Sequence, residues 1–194
     1  MRTLRHLPLI AFVLFLSGCV LSREPFYTAD TVVEFPGPEG RWQLLGKDGL
    51  PEDGEFWTFE DGKAFAWDQR GQWRSIKLAY FRVDGVDFVD TIAEGPGDDI
   101  PSSEGYRSLH LVPFHMLSRI ERTGDRIILR PLLTKEFRAV AGENPVASWI
   151  EQTDYETFVF NASPPDWVEF IRQHGSDGGL FSDESKLVFV RQSQ

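Results

Sequence analysis

Phe56-Trp-Thr-Phe-Glu60, Asp61-Gly62, Lys63-Ala-Phe-Ala-Trp67 is the stretch on which the fold turns. Two runs rich in aromatic residues flank an Asp-Gly pair. Such a pair suits a type I′ turn, whose two central residues both need positive φ, and it joins antiparallel strands tightly. The register that follows sets Glu60 against Lys63 and Thr58 against Phe65. The next residues repeat the device: Ile76 to Val83, Asp84-Gly85, then Val86 to Ile92. Here Val83 faces Val86, Arg82 faces Asp87 and Phe81 faces Phe88. Opposite charges and apolar pairs across the ladder each favour that register by roughly 0.2–1 kcal/mol.

Working outward, Asp68 to Gln72 bridges Trp67 and Trp73, so residues 56–92 read as four consecutive antiparallel strands. A third hairpin is expected at Ser118–Arg122, Thr123-Gly124, Asp125–Leu129, with Glu121 facing Arg126 and Ile120 facing Ile127. Phe158–Phe160 and Leu187–Val190 supply late strands. Ser163, Pro164 and Asp166 have the chemistry of a helix start: a capping hydroxyl, a proline at the first position and an acid in the first turn. Trp167, Phe170, Ile171 and His174 then fall on one helical face, and Gly175 ends the run. A weaker helix spans Thr134–Ala141, with Phe137 and Val140 inward.

Together these signals predict a mainly β chain. Its antiparallel meander would form a barrel or half-barrel, with a C-terminal α-helix packed against its end. That layout looks like the small barrels of the calycin and lipocalin type, a likeness of architecture without their signature residues.

The first 18 residues read differently. Arg2 and Arg5 precede an unbroken apolar run from Leu7 to Leu16, and the small residues Ser17 and Gly18 follow. This is the layout of a secretory signal, and the run is short of the roughly 20 residues that span a bilayer. Leu16-Ser17-Gly18-Cys19 resembles the lipobox of bacterial lipoproteins. The resemblance implies a signal peptide over 1–18, with Leu16, Ser17 and Gly18 as the signal-peptidase recognition site. It also implies that Cys19 is the acyl acceptor that anchors the chain to a membrane, in the manner of a palmitate-bearing lipoprotein. Val20 in place of aspartate after the cysteine implies the outer membrane, with the domain facing the periplasm. Residues 19–29 are then expected to be a tether and 30–194 a single domain.

The composition fits a surface poor in basic patches. The chain has 20 Lys and Arg against 30 Asp and Glu, net −10, and loss of Arg2 and Arg5 with the signal takes it to −12. Nucleic acid is therefore an unsuitable partner, because its phosphates select clustered cations. Cys19 is the single cysteine, so no disulfide forms within the chain.

Catalytic patterns are missing. There is no G-x-S-x-G elbow, Ser-x-x-Lys motif or phosphate-binding glycine loop. His110 and His115, an odd number of residues apart on a strand, point to opposite faces; His174 closes a helix. No metal site or cofactor is expected. Asp87 and Asp90 are the carboxylates placed to do acid–base work if any do. The acidic loop from Glu94 to Glu104 reads as a solvated surface. Trp57, Trp67 and Trp73, on neighbouring strands, are the candidate lining of an apolar pocket inside the barrel. The expected role is a non-catalytic periplasmic binding protein for a small apolar molecule or a protein, the alternative a structural or assembly lipoprotein of the envelope.

Overall fold

The structure, a computed structural model, describes residues 18–34, 40–51, 56–68, 71–94, 114–142, 146, 149–152, 158–176 and 179–192. The local turns set its geometry. Asp61 and Gly62 take φ of 48° and 70°, and Asp84 and Gly85 take 47° and 80°. Both Asp-Gly pairs thus make the expected turns, joining strand β3 (Phe56–Glu60) to β4 (Lys63–Asp68) and β5 (Gly71–Val83) to β6 (Val86–Ala93). Glu60 pairs with Lys63 and Thr58 with Phe65; Val83 pairs with Val86, Arg82 with Asp87 and Phe81 with Phe88.

The third hairpin is corrected by two residues. β7 (His115–Thr123) and β8 (Arg126–Pro131) pair Thr123 with Arg126 and Ile120 with Leu129. The turn is Gly124-Asp125, with φ +58° at Gly124. A turn at Thr123-Gly124 would force the β-branched threonine towards left-handed backbone, which costs about 1–2 kcal/mol. Placing glycine first lets it absorb the positive φ. The two-residue slip preserves the faces, so Ile120 and Ile127 still point the same way.

β5 also begins earlier than expected. Asp68 pairs with Gly71, and a register shift after the Ala66–Arg74 pair leaves Trp73 without a partner between that pair and Trp67–Gln72. The remaining strands are β1 (Leu21–Ser22), β2 (Gly40–Leu44), β9 (Trp149–Gln152), β10 (Phe158–Phe160) and β11 (Leu187–Arg191).

The chain is mainly β, and the barrel is closed. Its wall runs β2-β3-β4-β5-β6-β7-β8-β11 and returns to β2, eight strands with every neighbour antiparallel. The meander from β2 to β8 is sealed by β11, whose Phe189 pairs with Leu44 on one side and Ile127 on the other. Between β8 and β11 the chain makes an excursion through α1 (Thr134–Ala141), β9, β10 and α2 (Pro164–His174). β1 joins this excursion to the barrel. It lies antiparallel to the start of β7, with Ser22 opposite His115, and parallel to β10, with Ser22 opposite Phe160.

Two cores result. Inside the barrel, Trp42, Phe59, Ala64, Val89, Ile120, Ile127 and Phe189 pack together. Outside it, Phe81, Phe88 and Leu117 of the wall meet Phe137 of α1, and Trp167, Phe170 and Ile171 of α2. The wall of β5 to β7 is thus buried on both faces, which is why Phe88 and Val89 are adjacent and both 1% exposed. The helix α2 therefore lies along the side of the barrel, where expectation put it across an end: the apolar outer face of β5 to β7 needs a cover. Its start is as read, with the Ser163 hydroxyl accepting from the Asp166 amide at 3.4 Å.

The segment read as a tether is packed into the domain. Val20 and Phe26 are fully buried in the outer core. They alternate with polar residues too irregularly to announce a strand, but they supply apolar surface that the side of the barrel needs.

Candidate functional site

The barrel interior is occupied by its own rings. Phe189 meets Trp57 edge-on at 5.8 Å and Phe59 at 5.9 Å, and Phe59 meets Trp42 at 6.4 Å. Such edge-to-face packing suits aromatic quadrupoles. β4 places Ala64 and Ala66 opposite Phe59 and Trp57, small against large, which lets the rings fill the section. Tyr80 also faces inward, and burial pushes its phenol well above the ordinary tyrosine range.

The three candidate tryptophans are not brought together. Trp57 lies inside. Trp67 lies outside, stacked on Phe56 with ring planes 2° apart and centroids at 5.9 Å, and its Nε1 donates to Thr58 Oγ1 at 2.9 Å. The guanidinium of Arg41 covers the Phe56 ring at 3.3 Å. The strand alternation was legible, but not which face is inner. The Trp73 side chain lies outside the described part of the molecule.

A second feature escaped the sequence entirely. Among the described residues, the buried polar side chains are Ser22, Asp90 and His115, and they lie together beneath the N-terminal segment. Asp90 faces outward from β6, and both its carboxylate oxygens lie 2.9 Å from His115 Nδ1. The backbone N–H of Phe26 donates to Asp90 Oδ2 at 3.0 Å. Beside them the indole N–H of Trp167 donates to Ser22 Oγ at 3.0 Å, which also accepts from the Glu24 amide at 3.2 Å. Burial raises the Asp90 carboxyl above its usual range, against the His115 and Phe26 contacts, which pull it down.

Serine, histidine and aspartate are the residue types of an acyl-transfer triad, yet the geometry serves another purpose. Ser22 Oγ is engaged by the Trp167 indole and the Glu24 amide, and the nearby cleft borders Asp90 but neither Ser22 nor His115. The cluster is a polar clasp. Each buried group is partnered, as burial requires, and together they tie the N-terminal segment to β6, β7 and α2.

That cleft, about 310 Å³, runs along the outer wall between Tyr27, Lys63, Lys77 and Ala79. Its lysines are both held by Glu94, at 3.1 and 3.4 Å. Glu94 also accepts from Ser75 Oγ, and these contacts hold its carboxyl below the ordinary range. A second cleft, at the barrel rim, is lined by Asp87, Arg119 and Arg122. Asp87 pairs with Arg82 at 2.6 Å. Three residues apart on β6, Asp87 and Asp90 face opposite sides of the wall, so they cannot act as a carboxylate pair. His174 ends α2 against the Phe170 ring at 4.9 Å. His110 and most of the loop from Glu94 to Glu104 lie outside the described residues. No group of acids, histidines and cysteine able to hold a metal occurs among those described.

Of the residues that carry the lipobox resemblance, Gly18 and Cys19 are described, and Leu16 and Ser17 lie outside the described residues; Cys19 is buried. It bridges to Leu133 and packs with Leu21 and Val159, flanked by Phe114, Met116 and Leu133. Burial pushes its thiol up to about 11. The Thr134 amide donates to the Gly18 carbonyl at 2.6 Å, and the Val20 amide to the Leu132 carbonyl at 3.0 Å.

No family model matches the chain, and neither a curated protein nor a solved structure matches it.

Proposed function

We propose that the chain is a lipid-anchored protein of the bacterial envelope that works, without catalysis, through contacts made by its outer surface. The observation that carries the surface reading is the filled barrel. Trp42, Trp57, Phe59 and Phe189 occupy the space in which a small apolar ligand would sit. A protein partner has better footing on the outer wall, where Arg41, Phe56 and Trp67 form a stacked guanidinium–aromatic patch, the residue types that dominate protein interfaces. The envelope address rests on Leu16-Ser17-Gly18-Cys19, and Val20 favours the outer membrane with the domain in the periplasm. The buried Cys19 thiol is a poor nucleophile in the folded domain, since only a thiolate attacks readily. Acylation therefore belongs to the emerging chain, before β1 docks.

Native mass spectrometry of the protein extracted from bacterial membranes in mild detergent tests the reading. The expected species begins at Cys19, carries covalent acyl groups and holds no other small molecule. A reproducible extra mass that leaves on denaturation would overturn the surface reading in favour of a cargo; an unmodified Cys19 would overturn the anchor.

A further inference from the structure

We infer that the domain is mounted on the membrane without a linker, so that the end carrying Cys19, β1 and the start of α1 lies flush against the bilayer and the Gly124 turn points away from it. The inference rests on the anchored reading above and adds an orientation to it.

The apolar run Leu7–Leu16 joins the domain by way of Gly18 and Cys19, and after cleavage, which removes Gly18, the acyl groups sit on Cys19 itself. Those residues are already part of the fold. The Cys19 carbonyl accepts from Thr134 Oγ1 at 3.3 Å, Val20 N–H bonds to Leu132, and Arg23 N–H bonds to the Phe160 carbonyl at 3.1 Å. Val20 and Ser22 are 0% exposed and Leu21 is 7%. Freeing even four residues as a tether would break the pairing of β1 with both β7 and β10 and pull Val20 from the core. Exposing such an aliphatic side chain to water forfeits its hydrophobic stabilisation. A flexible tether is thus disfavoured at its first step.

The surface around the anchor suits the interface. Phe114, Met116 and Leu133 are partly exposed apolar residues packed around Cys19. Lys135, one residue past the Thr134 contacts, is exposed and can meet anionic headgroups. The opposite pole is set by β7. From Met116, beside Leu21, to Thr123 the strand covers about 23 Å, at roughly 3.3 Å per residue.

Quenching by lipid tests the mount. The full-length protein, acylated in bacteria, is prepared as Lys135→Cys and as Thr123→Cys. With the Cys19 thiol locked as a thioether, the introduced cysteine is the only free thiol, and it takes a small fluorophore. Each is reconstituted into phosphatidylethanolamine–phosphatidylglycerol vesicles with and without a nitroxide-headgroup lipid. Quenching several-fold stronger at position 135 than at 123 is expected. A Gly/Ser insertion of ten residues after Cys19, with a reach of roughly 17 Å, should bring the quenching at the two positions close to equal. Equal quenching at both positions in the protein without the insertion, with Cys19 acylation verified by intact mass, overturns the mount and leaves the anchor standing. Absence of acylation overturns the anchor and the mount together.

Discussion

Asp90 and His115 meet 2.9 Å apart on the outside of the barrel wall, under a segment that begins at the first residues of the described chain. The pair joins β6 to β7, and through the Phe26 amide it also holds the N-terminal segment. Removing the imidazole would leave a carboxylate buried with one donor. Breaking a buried pair in this way costs about 3–5 kcal/mol, so His115→Ala should lose about that much stability in urea denaturation. A loss below about 1 kcal/mol would mean that water reaches Asp90 readily.

The same pair gives a pH dependence of definite sign. The folded carboxyl of Asp90 is raised above its unfolded value, so its contribution is fully present below the unfolded value. That contribution is lost as the pH rises through the folded one. His115→Gln removes contacts that hold the carboxyl down and raises it further. Thermal melts of the variant should therefore fall away from those of the wild type more at pH 7 than at pH 4. A constant difference between the two pH values would assign no such role to Asp90.

The filled interior predicts its own cavity experiment. Phe189 touches Trp57 and Phe59 within the barrel, and Phe189→Ala should cost about 3–5 kcal/mol while leaving a hole of ring size. A small apolar ligand such as benzene should bind the variant and raise its melting temperature, with no effect on the wild type. Stoichiometric binding by the wild type would show that the rings give way, and would return the interior to candidacy as a ligand site.

Gly175 gives a test of packing that turn chemistry would not foresee. Its φ of −67° is ordinary, so no left-handed backbone requires glycine there. A β-carbon would instead lie 2.5 Å from the Ile171 carbonyl oxygen and 3.0 Å from the Phe88 ring. Gly175→Ala should destabilise by about 1–3 kcal/mol, the usual cost of overpacking, read as a lower urea midpoint at unchanged slope. An unchanged midpoint would place α2 further from the barrel wall.

What the sequence determined by itself was local. The Asp61-Gly62 and Asp84-Gly85 turns, their registers and the Ser163 cap were legible, because each depends on φ preferences and hydrogen bonds within a few residues. Even the misplaced third turn failed only by its two-residue slip, at a threonine whose backbone preference outweighed an expected Glu121–Arg126 pairing. The tertiary structure decided which face of each strand is inner. Alternation distinguishes two faces, but β4 is apolar on both, with Phe65 and Trp67 on one and Ala64 and Ala66 on the other, so polarity could not say whether Trp67 or Ala66 points into the barrel. It also decided that Val20 to Phe26 is core, and that Ser22, Asp90, His115 and Trp167 form one clasp. Those positions are as much as 145 residues apart. Their meeting is fixed by closure of the barrel through β11 and by the shared burial of its side, terms that arise only when the whole chain packs.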